Sequence, residues 1–343
     1  MRIVIGFLAI AVMISLVGCG TKNAKTTKAP KTSANKIAWY AMVVHPYFDQ
    51  VKQGAVAFGK DSGVEVETQI GQEATQDNES ANVEALAARG FKAFSIYPAD
   101  ASGANGLYEE LTGRGCYVVS FGAPTKTPTT ASFCVATDVK AAAMQATEAL
   151  IKFMGGKGKI LDVLELVEDP NTVLRREGIE EVVKKHPGVT IAQTVAGMTS
   201  VEESTTKIQD ALAGQINNID GIIATGYTPT VAVSTILAER NAKPGNKKIH
   251  FVGIDTDKVV LKAIKDGYVD ATISQNPYGH GYISCSLLKH LQDGWKPKKG
   301  AYFINAGTVL VTKDNVDTYP SEVKAQTTKI LGDLETKYLD PPK

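Results

Sequence analysis

The sequence lacks the short motifs by which many hydrolases and nucleotide-binding enzymes are recognised. No G-x-S-x-G, H-E-x-x-H or G-x-x-x-x-G-K-[ST] pattern occurs. The run Gly155-Gly156-Lys157-Gly158 follows a predicted helix and precedes a predicted strand, the reverse of a phosphate-binding loop, so it predicts a turn. The five histidines are scattered without the spacing of metal ligands. These absences argue against an enzyme, a metal site and a cofactor.

Cysteine is scarce, with four residues in the chain. Cys19 ends an N-terminal apolar segment, which leaves Cys116, Cys134 and Cys285 in the body of the protein. Export would permit disulfides, and Cys116 with Cys134 is the one pair close enough in sequence to suggest a bond between neighbouring strands. Free buried thiols are the alternative that we favour.

A surplus of basic residues is also missing from the body of the chain. Residues 1–36 hold six basic side chains and no acid, so the remainder holds 31 basic against 36 acidic side chains. Nucleic-acid binding needs a basic face, which this mildly acidic body does not offer.

The N-terminal segment predicts export. Met1-Arg2 is a short charged region, and Ile3 to Val17 is an apolar core of secretory length that is too short for a stable membrane helix. Leu16-Val17-Gly18-Cys19 resembles a bacterial lipobox, which implies a lipoprotein signal peptide over residues 1–19 and lipidation of Cys19. An ordinary signal peptide is the alternative. Residues 20–36 are Lys, Thr, Ala and Ser with one Pro, and they predict a disordered tether.

From Ile37 onward, apolar runs of strand length alternate with helical patterns. This rhythm is typical of a parallel, doubly wound sheet. It restarts after a Thr- and Pro-rich loop at residues 122–130, and two such arrays meet near Thr137-Asp138. The fold class predicted is therefore α/β, with two Rossmann-like doubly wound parallel-sheet lobes.

The stretch from Ile249 to Asn276 combines strand, helix and strand. Its first apolar run ends at Asp255 and its second ends just before Gln275. Polar residues past the carboxyl ends of parallel strands line the crevice in which ligands bind. A carboxylate acceptor and an amide that both donates and accepts suit a molecule rich in hydroxyls.

These residues resemble a known family. V-G-I-D at 252–255 and D-G-Y-V-D-A-T-I-S-Q-N-P-Y-G-H-G at 266–281 are similar to the segment from second lobe to hinge in type I periplasmic sugar-binding proteins, with ribose-binding proteins as the model. The resemblance covers residues 36–312 and implies a three-segment hinge near Ala136–Asp138, Gln275–Pro277 and Asn305–Thr308. It divides the chain into an N-terminal lobe of residues 37–137 plus 276–306 and a C-terminal lobe of residues 138–275 plus 307–343, which includes a terminal helix.

The resemblance also implies which residues line the cleft. In the family, the loop after the first strand carries a polar residue, Pro and two aromatics, as in His45-Pro46-Tyr47-Phe48. The second-lobe helix begins with an Arg three residues before a Gly, which selects Arg175 rather than Arg176. The predicted ligand-binding residues are His45, Tyr47, Phe48, Arg175, Met198, Tyr227, Asp255 and Gln275.

Each prediction has a structural alternative. His45 and Asp255 could instead cap helices, Tyr47 and Phe48 could pack in the core, and Gln275 could add only polarity to the hinge. Arg175 could pair with Glu177 or Glu180 on the surface. Tyr227 stands where the family commonly has an amide, and Met198 where it commonly has an aromatic.

The sequence departs from the family after the fourth strand. Many relatives place Asp-Arg there, whereas this chain has Ser120-Phe121-Gly122-Ala123. A less polar first lobe favours a ligand with fewer hydroxyls on that side, such as a deoxysugar, or a ligand rotated in the cleft.

The resemblance implies a lipid-anchored, extracytoplasmic substrate-binding protein of an ABC-type importer. It would bind a monosaccharide or polyol without covalent chemistry, act as a monomer and present its closed form to a membrane permease. The alternative is a sensory subunit that presents the same sugar to a chemoreceptor or sensor kinase. A surface enzyme on a similar scaffold is a third, weaker hypothesis.

Overall fold

The computed structural model describes residues 36–167 and 169–343, in which strands and helices alternate along the chain. The first array consists of β1 (Lys36–Ala41), α1 (Pro46–Ser62), β2 (Glu65–Ile70), α2 (Gln76–Ala88), β3 (Ala93–Ile96), α3 (Ala104–Gly113), β4 (Tyr117–Phe121) and β5 (Phe133–Ala136). The second consists of α4 (Val139–Phe153), β6 (Gly158–Val163), α5 (Pro170–Lys185), β7 (Val189–Val195), α6 (Val201–Ala213), β8 (Gly221–Ala224), α7 (Tyr227–Asn241), β9 (His250–Ile254), α8 (Lys258–Lys265) and β10 (Ala271–Ser274). The remaining elements are α9 (Pro277–Gln292), β11 (Lys296–Pro297), β12 (Phe303–Asn305), β13 (Val309–Thr312), α10 (Tyr319–Asp333), a π-helical turn (Leu334–Tyr338) and β14 (Leu339–Asp340).

Two sheets of six strands each organise the described residues. The first has the order β12-β5-β4-β3-β1-β2 and is parallel throughout. The second has the order β13-β10-β9-β8-β6-β7 and is parallel except for β13, which pairs antiparallel with β10. Strands β3, β5, β8 and β10 are buried along their whole length, because helices cover both faces of each sheet. The predicted fold class is confirmed.

Local chemistry sets where several helices begin. The Asp138 carboxylate accepts the Ala141 N–H at 2.9 Å at the start of α4, and the Ser200 hydroxyl accepts the Glu203 N–H at 3.1 Å at the start of α6. Such caps satisfy N–H groups that the first helical turn leaves without partners.

Helix α9 packs with the first array. It packs against α1 and the first sheet, and Ile283 and Leu287 lie in the same core as Trp39. The close approach of α1 and α9 requires glycine on both helices. A Cβ on Gly54 or on Gly281 would collide with the backbone of the other helix.

The segments that pass between the lobes are hydrogen-bonded to one another. The Ala306 N–H donates to the Ala136 carbonyl at 2.9 Å, and the buried Asn276 side chain donates to the Ala306 carbonyl at 2.8 Å. The Thr327 hydroxyl of α10 lies 3.0 Å from Asn276 Nδ2 and 3.2 Å from its Oδ1. These bonds make the crossings one connected hinge.

The C-terminal segment contacts both lobes. Val323 lies in a second-lobe core, whereas Leu334 and Leu339 lie in the first-lobe core. Strand β14 also pairs with β11, directly after α9. The end of the predicted C-terminal lobe therefore packs on the first lobe, because its apolar residues complete the core beneath α9. At the other end, Lys36, predicted to end the tether, is already part of β1.

The described residues contain three free, buried cysteines, Cys116, Cys134 and Cys285, as we favoured from the sequence. No helix among these residues has the length and apolar character needed to cross a membrane. The signal peptide predicted over residues 1–19, lipidation of Cys19 and the tether up to residue 35 lie outside the described residues.

Candidate functional site

A cavity of about 330 Å³ lies between the two lobes, at the carboxyl ends of the parallel strands. Its first-lobe wall consists of Met42, Val43, His45, Tyr47, Phe48, Tyr97 and Gly122. Its other wall consists of Val139, Glu165, Asp169, Asn171, Arg175, Gly226, Tyr227, Thr228, Asp255 and Gln275. A cavity of this size is typical of small-molecule sites, and its place at the strand ends follows the rule for open α/β sheets. Of the eight predicted residues, all except Met198 line it.

Asp255 is held in an unusual backbone conformation at the end of β9. Its φ of 73° lies in the left-handed region, which Asp tolerates better than most residues. The Asp255 N–H donates to the Ile273 carbonyl at 2.8 Å, and the Thr272 hydroxyl donates to the Asp255 carbonyl at 2.8 Å. Strand β10 thereby holds both the backbone N–H and the backbone carbonyl of Asp255. Backbone conformations of this kind are often retained where they aim a functional side chain.

The Asp255 carboxylate faces a donor and a cation. Gln275 Nε2 donates to Oδ1 at 2.7 Å, so these two predicted residues are in direct contact. Burial raises the pKa of Asp255, while the hydrogen bond from Gln275 and the nearby Arg175 charge oppose that rise. The helix-cap alternative for Asp255 does not hold, because Asp257 caps α8.

Arg175 and Arg176 are neighbours in α5 but point in different directions. Arg176 is exposed, and its Nε donates to Glu180 at 2.9 Å. Arg175 is half-buried and lines the cavity, and its Nε is buried without a hydrogen-bond partner among the described residues. A buried donor without a partner is costly, so Arg175 offers an N–H for a bound molecule to satisfy. The surface ion pair considered as an alternative belongs to Arg176.

Two further carboxylates of the second-lobe wall have structural roles. Glu165, at the end of β6, accepts the Thr228 N–H at 3.2 Å and the Thr228 hydroxyl at 3.3 Å. It thereby replaces the missing side-chain cap of α7, whose cap residue is Gly226. This remote cap accounts for the start of α7 at Tyr227. Asp169 similarly caps α5 and accepts the Asn171 N–H at 3.0 Å.

Tyr227 presents its ring rather than its hydroxyl to the cavity. The hydroxyl donates to Asp257 at 2.9 Å, and burial together with this bond raises the pKa of Tyr227 to about 12. The ring centroid lies 6.2 Å from that of His45 across the cleft. His45 Nδ1 accepts the Tyr47 N–H at 3.1 Å, so His45 caps α1 and lines the cleft at the same time.

Aromatic rings form much of the first-lobe wall. Tyr47 meets Phe48 edge to face at 5.2 Å between centroids, and Phe48 meets Tyr97 in the same way at 4.9 Å. Phe48 is 4% exposed and also belongs to the first-lobe core. The Tyr47 hydroxyl points away from the second lobe, to His280 Nδ1 at 2.7 Å.

Met198 is the predicted site residue that lies elsewhere. It is 1% exposed, packs in a second-lobe core and lines a smaller neighbouring cavity, which shares Glu165 and Asp169 with the cleft. It follows β7, the edge strand of the second sheet, and therefore lies away from the central strands whose ends form the cleft.

Tyr97, Gly122 and Glu165 were not predicted as site residues. They come just after β3, β4 and β6, in the same kind of position that identified Asp255 and Gln275. The strand-end rule, applied to every strand, would have found all three.

The two walls suit a small uncharged molecule with an apolar face and a rim of polar groups. No group of three or more His, Cys, Asp or Glu residues able to hold a metal ion occurs in residues 36–167 and 169–343. The second-lobe wall carries the carboxylates of Glu165, Asp169 and Asp255 against the one guanidinium of Arg175, which disfavours an anionic guest.

Several solved structures share this fold. A sugar-binding protein of a sugar ABC transporter from Bacillus halodurans is 21% identical, with a TM-score of 0.75 over 83% of this chain and 99% of that one. A solute-binding protein from Burkholderia graminis in complex with D-arabinose is 22% identical, with a TM-score of 0.72 over 84% and 99%. One from Agrobacterium vitis with bound D-fucose is 22% identical, with a TM-score of 0.69 over 84% and 99%. At these identities the likeness shows the fold.

The family itself is identified by a profile match. The periplasmic binding protein domain matches residues 41–296, which is well over half of the chain and includes strands of both sheets. The predictions of this family and of a binding protein rather than an enzyme are confirmed. The chain belongs to the periplasmic binding protein domain family.

Proposed function

We propose that this protein binds a monosaccharide or polyol in the cleft between its lobes, as the extracytoplasmic substrate-binding protein of an ABC-type importer. The observation that carries the proposal is the pairing of an aromatic wall with Arg175 and Asp255 opposite. Sugars present apolar C–H faces, which pack on aromatic rings, and a rim of hydroxyls, which pair with guanidinium and carboxylate groups. The solved relatives described above as sugar transporter components support the same class of ligand.

Several polar residues of the cleft already bond to other residues of the protein. Glu165 and Asp169 cap helices, and Tyr227 bonds to Asp257. Among residues 36–167 and 169–343, Arg175 retains a buried N–H without a partner, and the Asp255 carboxylate accepts one hydrogen bond, from Gln275 to Oδ1. A guest with adjacent hydroxyls can accept from Arg175 and donate to Asp255.

Within this class we favour a ligand with few hydroxyls on one edge, such as a deoxysugar. Gly122 follows β4 on the first-lobe wall, whose other residues are Met42, Val43, His45, Tyr47, Phe48 and Tyr97. The aliphatic and aromatic groups of this wall offer no partner to a hydroxyl, and a buried hydroxyl without a partner costs free energy. The relative with bound D-fucose, a 6-deoxy sugar, supports this choice.

The work of the protein is closure. Bringing the lobes together buries Arg175 and Asp255 further, a cost that is offset when ligand hydroxyls complete their hydrogen bonds. The hinge crossings allow rotation of the lobes as bodies. A permease that recognises the closed form then receives the ligand.

A thermal-shift screen tests the proposal. The panel contains D-arabinose, D-ribose, D-galactose, D-fucose, L-rhamnose and common polyols. A ligand at one hundred times its dissociation constant adds about 2.7 kcal/mol to the free energy of unfolding. Free amino acids, which would bring two charges into the cleft, serve as controls and are expected to cause no shift. Unchanged melting across all sugars and polyols would contradict the proposal.

We also propose that the protein is anchored by lipid on Cys19. The apolar run at residues 3–17 and the sequence Leu16-Val17-Gly18-Cys19 support this step. Metabolic labelling with a fatty acid is expected to mark the parent protein and not the Cys19→Ala variant. Equal membrane retention of the two, with no label in either, would contradict it.

A further inference from the structure

A buried histidine stands directly behind the aromatic wall. His280 lies in the first turn of α9 and is 1% exposed. Its Nδ1 is 2.7 Å from the Tyr47 hydroxyl, and its Nε2 is 3.5 Å from the Thr137 hydroxyl. Thr137 belongs to the crossing between β5 and α4, so the ring of His280 is held between the hinge and the cleft.

The protonation state of this histidine follows from its surroundings. Burial lowers the pKa of His280 to about 3, so the imidazole is neutral, with one N–H and one bare nitrogen. Burial raises the pKa of Tyr47 well above its usual range, so the phenol keeps its proton. If Tyr47 donates to Nδ1, the Nε2–H donates to the Thr137 hydroxyl, and both the Tyr47 O–H and the His280 N–H then have an acceptor. The opposite tautomer leaves the Tyr47 O–H to find another acceptor.

The space around the Tyr47 hydroxyl reinforces this orientation. Gly122 has a φ of 75°, and a Cβ built on it would lie 2.6 Å from the Tyr47 oxygen. The ring of Tyr47 is also packed edge to face against His280, at 5.9 Å between centroids. The hydroxyl is thus packed between Gly122 and His280, and Tyr47 is one of the residues that line the cleft.

We infer that His280 is a positioning residue for ligand selection: it holds the Tyr47 hydroxyl away from the cleft, so that only the ring meets the bound molecule. This inference deepens the proposed function and rests on it. Its consequence is chemical. A tyrosine at this position could donate a hydrogen bond to a sugar hydroxyl, but the bond to His280 occupies that donor. The wall then favours a C–H or methyl edge, which selects a deoxysugar over its hydroxylated parent.

The first experiment needs no ligand. Nitrogen-15 spectra of the histidine-labelled protein report which ring nitrogen of His280 carries the proton. We expect the Nε2–H tautomer, with an Nδ1 resonance that moves when Tyr47→Phe removes the donor. A protonated Nδ1, or an Nδ1 resonance that is unchanged in Tyr47→Phe, would overturn the assignment.

The second experiment compares D-fucose with D-galactose, which carries a hydroxyl where D-fucose carries none. We expect His280→Leu to lower the ratio of the two affinities by about tenfold, since it frees a hydrogen-bond donor at the apolar edge. His280→Gln retains an acceptor and should restore most of the preference. His290→Leu is the matched control, because His290 lies on the same helix and bonds to Ser286 and Glu335 instead. An unchanged ratio in His280→Leu would refute the inference.

The two experiments separate the inference from the proposed function. If the spectra show the Tyr47–His280 bond and no sugar binds, the proposed function fails and the assignment of the bond stands. If sugars bind but the ratio does not respond to His280→Leu, the proposed function stands and the selecting role of His280 fails. Circular dichroism and the melting temperature of each variant show whether it is folded.

Discussion

The two walls of the cleft come from sheets with the same strand order, yet they differ in chemistry. In both sheets the first two strands are exchanged and the others follow in sequence order. The first lobe contributes mainly aromatic and aliphatic groups, including Tyr47, Phe48 and Tyr97. The second contributes charged groups, among them Arg175 and Asp255. One architecture thus supplies packing from one side and hydrogen bonding from the other, because function depends on the residues at strand ends rather than on the fold.

The walls also differ in how their residues are fixed. Tyr47 is held by a partner from α9, far along the chain, through its bond to His280. Asp255 is held by the adjacent strand β10, through Thr272 and Gln275. The first-lobe wall therefore depends on packing of helices, and the second on the register of neighbouring strands.

The largest expected effect tests the charged wall. Arg175→Ala should weaken binding of the best sugar from the screen about a thousandfold, because it removes the charged, buried N–H donor proposed to bond a sugar hydroxyl. Titration calorimetry measures the affinity. Arg176→Ala is the matched control, since Arg176 is exposed and paired with Glu180, and it should bind like the parent. Equal losses in the two variants would remove the distinction between the walls.

The pH dependence of stability tests whether a buried carboxyl group destabilises each lobe to the same extent when it ionises. Burial raises the pKa of Glu79 in the first lobe and of Asp162 in the second to about 7. An acid with a raised folded pKa binds protons more tightly when folded, so its stabilisation is full below pH 4 and is lost as pH rises through 7. Relative to the parent protein, Glu79→Gln and Asp162→Asn should each have a free energy of unfolding that is higher at pH 8 than at pH 4, by up to about 3 kcal/mol.

Urea unfolding at pH 4, 6 and 8 measures these differences. Glu84→Gln is the control, because Glu84 is exposed on the same helix as Glu79 and its replacement should leave the pH profile of the parent unchanged. If the difference in stability between Glu79→Gln and the parent did not grow with pH, ionisation of the Glu79 carboxyl would not be destabilising the folded protein.

A glycine pair tests the aromatic wall. Gly122→Ala should weaken sugar binding about tenfold, because the new Cβ would lie 2.6 Å from the Tyr47 hydroxyl and 2.7 Å from the Tyr97 ring. Gly115→Ala is the control, with a φ of 74° and open space around the added Cβ. Both should lose stability through their left-handed backbone, and only Gly122→Ala should lose affinity as well. Thermal melts and calorimetry separate the two effects.

The smallest expected effect concerns the hinge between the two lobes. Thr327→Val removes the hydroxyl that bonds to Asn276 in the hinge and should cost about 1 kcal/mol of stability. Thr328→Val is the control, since the exposed Thr328 hydroxyl bonds only within its own helix, to the Lys324 carbonyl. Distances between spin labels on the two lobes should broaden in Thr327→Val alone. Identical distributions would show that α10 does not restrain the hinge.

Local patterns along the chain were enough to predict the alternation of strands and helices and the residues at strand ends. Apolar runs in the sequence predicted β9 and β10, so Asp255 and Gln275 were correctly located at the carboxyl ends of these strands. There Gln275 Nε2 lies 2.7 Å from Asp255 Oδ1. Turn and cap chemistry fixed the starts of helices such as α4 and α6. These features depend on nearest neighbours along the chain, which the sequence displays directly.

Tertiary structure alone decided the partners of those residues. Met198 and Glu165 both follow strands, but the edge position of β7 sends Met198 into the core, while the more central β6 brings Glu165 to the cleft. The Tyr47 hydroxyl meets His280, 233 residues later, and Leu334 returns to the first-lobe core. Such contacts depend on strand order and helix packing, which join residues that no local pattern relates.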